Sequence, residues 1–187
     1  MNATFLRGFV LILGLLVPIA GCSSSASKRL AAAERGEAKA QLDLGTRYAR
    51  GKGVERNDAE AAKWLRKAAD QGLARAQLDI GVLYATGRGV PRDDAEAAGW
   101  YRKAADQGLP QAQLNLGLAY DLGLGVPVDK AEAETAWRTA AMQGDTGAAK
   151  NLAQLRAERW TPPPCADSGI PRAWQCRTMP PRLSPRP

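Results

Sequence analysis

The sequence predicts an all-α fold, built as an array of repeated helix pairs. The chain has 187 residues and repeats itself every 36 residues, so that blocks 36–71, 72–107 and 108–143 superpose. Within each block, small and apolar residues recur at helical spacing and glycines separate the segments. Valine, isoleucine and threonine are few, which argues against a large sheet.

The first 21 residues are predicted to be a signal peptide. One arginine, Arg7, precedes an apolar run over residues 9–20. This run is shorter than the about 20 residues that a membrane-spanning helix needs, and it has the length of a signal-peptide core.

The end of this run, Ile-Ala-Gly-Cys at residues 19–22, resembles the lipobox of bacterial lipoproteins. The resemblance implies cleavage before Cys22 and lipid on its sulfur and new amino terminus. Because Ser23 is not aspartate, the resemblance also favours the outer membrane, with the protein facing the periplasm. Residues 22–29 would then form a flexible tether. The alternative is an ordinary secretory signal with an incidental cysteine.

The first helix of each block is predicted over about residues 37–49 and their equivalents. Gly45 lies in the middle of this helix and recurs as Gly81 and Gly117. A glycine there costs about 1 kcal/mol relative to alanine. Its recurrence predicts that a neighbouring helix approaches too closely for any side chain.

The second helix of each block is predicted to begin with a capping box. Asn57, Asp93 and Asp129 each precede a glutamate by three positions, so each residue would cap the helix while the glutamate bonds back. The helix then ends at the glycine that opens the next block.

Half a repeat at residues 30–36 precedes the blocks, and residues 144–159 resemble a first helix that caps them. The predicted array therefore covers residues 30–159.

The segment Gly-Lys-Gly-Val at residues 51–54 returns at 87–90 and 123–126 with a different second residue. A lysine between glycines suits a phosphate cradle, but a P-loop also needs a preceding strand and a Gly-Lys-Ser/Thr end. The position of Lys52 also changes, to arginine and then to leucine. We interpret the segment as a turn whose variable side chain points to solvent.

Two recurring phrases, AQLxLGxxYxxGxGV and WxRKAADQG, resemble the Sel1-like repeat, a relative of the tetratricopeptide repeat. The resemblance implies a right-handed superhelix, an α-solenoid of stacked antiparallel helix pairs, with a concave face open to ligands. The third copy departs from the pattern, because Ala136 replaces Trp64 and Trp100 and Trp137 stands one place later. Packing is therefore expected to differ at that end.

Composition argues against several kinds of chemistry. The chain has no histidine, which removes the commonest general base and metal ligand, so no metal, cofactor or catalytic residue is predicted. Residues 36–155 hold 16 basic and 16 acidic side chains, so the body lacks the charge of a nucleic-acid binder. Residues 25–28 match Ser-x-x-Lys of penicillin-recognising enzymes, but the other motifs of that class are missing.

The predicted partner-binding groove uses variable positions four apart on the first helices, which share a face. These are Lys39, Asp43 and Arg47, then Arg75, Asp79 and Leu83, then Gln111, Asn115 and Ala119. The alternative is a solvated face of tolerant composition. The chain is thus predicted to be a monomeric scaffold that binds a protein or peptide in the periplasm. The rival hypotheses are a cell-wall or β-lactam hydrolase and a peptidoglycan-binding module.

The tail, residues 160–187, holds eight of the twelve prolines and cannot continue a helix. With Cys22 assigned to lipid, Cys165 and Cys176 remain, and a disulfide between them is predicted for an oxidising compartment. Its short loop would contribute about 2–3 kcal/mol.

Overall fold

The computed structural model describes residues 23–159, which form eight α-helices and no strand. The helices are α1 Ser23–Glu34, α2 Ala38–Arg50, α3 Asp58–Asp70, α4 Ala74–Thr86, α5 Asp94–Asp106, α6 Pro110–Leu122, α7 Lys130–Met142 and α8 Thr146–Arg159. The architecture is the predicted right-handed α-solenoid of antiparallel pairs. The pairs are α2/α3, α4/α5 and α6/α7. The predicted signal peptide, Cys22, and the tail with Cys165 and Cys176 lie outside the described residues.

The amino-terminal end differs from the sequence prediction, because residues 23–29 are helical rather than a tether. The reason lies in α1, where Ala33 is buried against Leu44 and Trp64. The side-chain amide of Gln41 in α2 also donates to the Ala33 carbonyl oxygen at 3.0 Å. Helix α1 thus takes the place of the second helix of a preceding repeat.

The predicted side-chain caps are present, but the prediction that each glutamate side chain bonds back to the N–H of the cap residue is wrong. The side chains of Asn57, Asp93 and Asp129 accept from the backbone N–H of Glu60, Glu96 and Glu132 at 2.9–3.0 Å. The backbone N–H of each cap donates instead to a carbonyl oxygen in the preceding helix, at 2.9–3.0 Å. These acceptors are Tyr48, Tyr84 and Tyr120. This bond closes the loop inside each pair, so the glutamate side chain is not needed there.

The close approach predicted at the mid-helix glycines is confirmed. A Cβ built on Gly45 would lie 2.7 Å from Leu65 Cγ, and one on Gly81 would lie 2.7 Å from Tyr101 Cε1. At Gly117 it would collide with the indole of Trp137. Each first helix therefore packs against the central side chain of its own second helix, with no room for a methyl group.

Packing in the third repeat differs, as predicted. Trp137 takes the position of Leu65 and Tyr101, where it is buried and its indole N–H donates to the Leu114 carbonyl oxygen at 3.1 Å. Trp100, one position earlier in its own repeat, packs instead into the core between the first two repeats. With Ala136 at that position, the third repeat has no such side chain.

A buried glutamine ladder, which was not predicted from the sequence, joins the repeats. Gln41, Gln77 and Gln113 each donate to the carbonyl oxygen of a residue eight positions earlier, at 3.0–3.4 Å. Each also accepts from the amide of a glutamine 30 positions later, at 2.7–3.0 Å. These donors are Gln71, Gln107 and Gln143. The side chains thus satisfy each other and the ends of the preceding helices, as buried polar groups must.

The second glycine of each turn has a different role in the first copy than in the later ones. A Cβ on Gly89 would collide with the Asp58 backbone, and one on Gly125 with the backbone of Asp94. A Cβ on Gly53, whose φ is +75°, would instead lie 3.7 Å from a guanidinium nitrogen of Arg47, which is an ordinary contact distance. The later turns therefore rest on the start of the second helix of the preceding repeat.

The side chain between these glycines does not simply point to solvent, so that interpretation is wrong for the second copy. The Arg88 guanidinium donates to Asp58 at 2.8 Å and to the Ala49 carbonyl oxygen at 3.3 Å. Arg88 and, secondly, Arg56 hydrogen-bond to the Asp58 carboxylate and lower its pKa well below its usual value. Arg88 thus links the second repeat to both helices of the first.

Helix α8 ends the described array with a polar outer face. Lys150, Ala153 and Arg156 are exposed there. The equivalent positions of α6 carry Leu114, Gly117 and Tyr120, which face α7. Such a face suits a terminal repeat, which meets water instead of another helix.

Candidate binding groove

The first helices α2, α4, α6 and α8 border three cavities, each with two first helices as its sides and a second helix at its bottom. The first cavity lies between α2 and α4 over α3, the middle one between α4 and α6 over α5, and the last one between α6 and α8 over α7. Most of their lining positions are related by the 36-residue shift. The residues at the bottom of the three cavities, for example, are Leu65, Tyr101 and Trp137. We call this row of cavities the groove.

The nine residues predicted from the sequence to line a partner-binding groove, which we call the stripe, coincide with the row of cavities only in part. Asp79 lines the first cavity and Asn115 the middle one. Leu83 and Ala119 also border these cavities, but each is only 3% exposed. An α-helix has 3.6 residues per turn, so each step of four residues overshoots a full turn by about 40°. The third position of each set, eight residues after the first, therefore lies about 80° around the helix from it, toward the partner helix. Leu83 and Ala119 are therefore core residues, and their assignment to a partner-reading surface is wrong.

The remaining residues of the stripe lie outside the three cavities. Lys39, Asp43, Arg75 and Gln111 are exposed on the first helices. Arg47 is half-buried and donates to Asp43 at 2.7 Å. The structure thus splits the predicted stripe into a core end, an exposed end and the two cavity residues Asp79 and Asn115.

Asn151, which was not among the residues predicted from the sequence, completes the column of Asp79 and Asn115. It lines the last cavity at the same repeat position, in the cap helix α8. The 36-residue shift that relates Asp79 to Asn115 also leads from Asn115 to Asn151. Treating α8 only as a cap hid this signal.

The first cavity, of about 220 Å³, has three charged residues in its lining, two arginines and one aspartate. Arg50 stands at the end of α2 and Arg88 at the turn after α4. Asp79 pairs with Arg75 at 3.1 Å. Burial raises the pKa of Asp79, while the neighbouring Arg75 and then Arg50 act in the opposite direction.

The middle cavity, of about 140 Å³, is mainly apolar. Alanines and leucines form its walls, and Leu124 replaces the arginine that borders the first cavity. Burial, together with the negative charge of Asp94, raises the pKa of Tyr101 to about 12. The phenol on the floor is therefore protonated and neutral at physiological pH.

The last cavity, of about 160 Å³, is polar and acidic. Asp121 and Glu158 contribute carboxylates, and Asn151 and Gln154 contribute amides. Asp121 is held by Lys130 at 2.5 Å, whereas Glu158 accepts from the Gln154 amide at 3.1 Å.

Among the described residues, no group of three or more acidic or cysteine side chains is placed to hold a metal ion. Over the same part of the chain, none of the helices combines the length and apolar character that crossing a membrane requires. The arrangement of the groove is that of a recognition surface, in which a repeated backbone presents different side chains.

A family model for the Sel1 repeat matches residues 38–73, 74–109 and 110–145. This chain belongs to the Sel1 repeat family. The matched repeats have the predicted period and begin two residues later than the blocks taken from the sequence. Sel1 repeats typically mediate protein–protein interactions, and proteins of the family are generally non-catalytic scaffolds.

Solved structures of Sel1 repeat proteins are similar to the chain. A Sel1 repeat protein from Oxalobacter formigenes is 42% identical with a TM-score of 0.64, and the match covers 70% of this chain and 98% of that one. The protective antigen c5321 of uropathogenic Escherichia coli is 45% identical with a TM-score of 0.69, over 71% of this chain and 28% of that one.

Helicobacter pylori cysteine rich protein B shares the fold at 23% identity, with a TM-score of 0.54 over 68% of this chain and 92% of that one. No curated protein matches the chain.

Proposed function

We propose that the chain is an envelope lipoprotein that acts as a non-catalytic scaffold and binds a protein partner in the periplasm through the groove. The main support is the row of three cavities, in which equivalent positions carry different side chains on one repeated backbone. Cavities open along one side suit an extended segment of another protein better than a single small molecule. The usual role of Sel1 repeats as interaction modules agrees with this.

The lipoprotein part of the proposal rests on the lipobox-like residues 19–22. Because α1 begins at Ser23, an anchor on Cys22 would directly precede the first helix. The array would then stand close to the membrane surface instead of on a long linker. Blocking lipoprotein signal peptidase should leave an unprocessed precursor, and Cys22→Ser should release the protein from the membrane fraction. Unchanged processing and membrane association would contradict the anchor.

Site-specific photo-cross-linking in the native host tests the scaffold function. A photoreactive residue at Val82, which lines the first cavity, should capture a discrete partner protein. The matched control is the exposed Lys63 on α3, which borders none of the three cavities. A photoreactive residue there should not capture the same protein. Equal capture from both positions, or none from Val82, would contradict binding through the groove.

A further inference from the structure

We infer that the groove binds an extended peptide segment with one acidic, one apolar and one basic side chain, in that order and about three residues apart. The inference rests on the proposed function and adds the chemistry of the partner segment. It comes from one column of residues at the ends of the first helices. At 36-residue intervals this column reads Arg50, Thr86, Leu122 and Glu158. It changes from basic through neutral and apolar to acidic along the array.

The first cavity selects an acidic side chain because Arg50, although it lies near enough to Asp79 to lower its pKa, is the one arginine of this lining with no hydrogen bond or salt bridge within residues 27–158. Asp79 is paired with Arg75 at 3.1 Å, and Arg88 with Asp58 at 2.8 Å. Exposed Arg50 makes no hydrogen bond or ion pair within residues 27–158, the part of the chain with described side chains. A guanidinium in this setting favours a carboxylate, which it can bind through two parallel hydrogen bonds.

The middle cavity selects an apolar side chain. The repeat shift replaces the two arginines of the first cavity by Thr86 and Leu124. Its one carboxylate, Asp94, is already paired with Arg92 at 3.0 Å, and its floor is the neutral phenol of Tyr101. Leu124 is 37% exposed, so an aliphatic side chain entering here would cover apolar surface that now faces water.

The last cavity selects a basic side chain. Glu158 has no basic partner within 4.0 Å among residues 27–158, and its one hydrogen bond comes from the neutral amide of Gln154. The amide oxygens of Gln154 and Asn151 lie in the same cavity, where they can accept from an ammonium or guanidinium group. The two ends of the groove thus carry opposite charges that form no salt bridge within residues 27–158, with an apolar cavity between them.

The spacing of the motif follows from helix packing. The first helices on either side of a cavity both pack against the second helix between them, and packed helices lie about 8–10 Å apart. Because the first helices are in less direct contact with each other, one step along the groove is at least this long. An extended chain rises about 3.3 Å per residue, so about three residues is the shortest spacing that reaches from one cavity to the next. The matching order is Glu-x-x-Leu-x-x-Lys, or its reverse when the segment runs the other way.

Fluorescence anisotropy with the purified full chain and labelled synthetic peptides tests the order. One peptide carries Glu, Leu and Lys three residues apart, a second has the reverse sequence, and a third of equal composition places Glu between Leu and Lys. One of the two ordered peptides should bind about tenfold more tightly than the third. Equal binding of all three, or binding of none, would overturn the inference.

A charge exchange locates the contact. Arg50→Glu should weaken binding of the ordered peptide about tenfold, and replacing the Glu of the peptide by Lys should restore the affinity. Lys150→Glu makes the same charge change on the outer face of α8 and should leave the affinity unchanged. Loss without restoration, or an equal loss in both variants, would overturn the inference. If Val82 captures a partner while the peptides fail, the scaffold function stands and only the peptide chemistry falls.

Discussion

Replacing Gly89 by alanine should disrupt the contact between the first two repeats, and Gly53 provides a matched control. The two glycines hold the same place in the turn, with φ of +72° and +75°. Alanine in this left-handed region costs about 1–2 kcal/mol at either position. At Gly89 the new Cβ would also meet the Asp58 backbone far inside the 3.0 Å that Cβ contacts respect.

Backbone cannot move aside as the end of a flexible side chain can, so this clash adds a cost of overpacking, about 1–3 kcal/mol. At Gly53 the nearest atom is the flexible end of Arg47, and no such addition is expected. With a urea slope of about 2 kcal/mol per M, the extra cost at Gly89 lowers the unfolding midpoint by about 1 M more than Gly53→Ala does.

Urea unfolding followed by circular dichroism at 222 nm measures both midpoints. Gly125→Ala should match Gly89→Ala, because its Cβ would meet the backbone of Asp94 in the same way. Equal midpoints for Gly53→Ala and Gly89→Ala would refute the reasoning, since they would show that the turn conformation alone sets the cost.

Three further predictions concern single side chains. Gln77→Leu should lower the free energy of unfolding by about 1–3 kcal/mol, because it removes both hydrogen bonds of a buried side chain, the one donated to the Ala69 carbonyl oxygen and the one accepted from the Gln107 amide; an unchanged urea midpoint would contradict this. Arg88→Leu should destabilise the protein at pH 7, but less and less as the pH falls below 3.8, because the pKa of Asp58 is lowered in the folded state. Urea midpoints between pH 7 and pH 2 measure this, and a pH-independent difference would contradict it. Alkaline titration of phenol absorbance should show Tyr101 ionising near pH 12, and Tyr101→Phe should remove that step and no earlier one.

The fold was largely predictable because its signals are local and repeated. A glycine such as Gly45 in mid-helix is unfavourable alone, so its return in three copies pointed to a packing partner, which is Leu65 in the first pair. The caps were predictable for the same reason. The bond from the Asn57 N–H to the Tyr48 carbonyl was not, because it depends on how the turn closes and not on any side chain.

The site was predictable only in part, because variation between copies has two causes. Asn115 varies where the groove is open, but Leu83 varies inside the core, where its neighbours change with it. Arg88 pairs with a carboxylate of the preceding repeat, a contact that a comparison of turns alone cannot reveal. Recurrence therefore located the helices, whereas burial and pairing had to come from the assembled repeats.

The contact at Gly89 and Gly125 also bears on how such an array changes length. The second and third repeats carry a turn that fits the repeat before them, and the first and second carry a helix start that receives the turn of the repeat after them. A whole copy inserted in register would find matching surfaces on both sides and would lengthen the groove by one cavity. Duplication can thus extend the reach of the protein without a new interface, while the side chains of the added copy remain free to diverge.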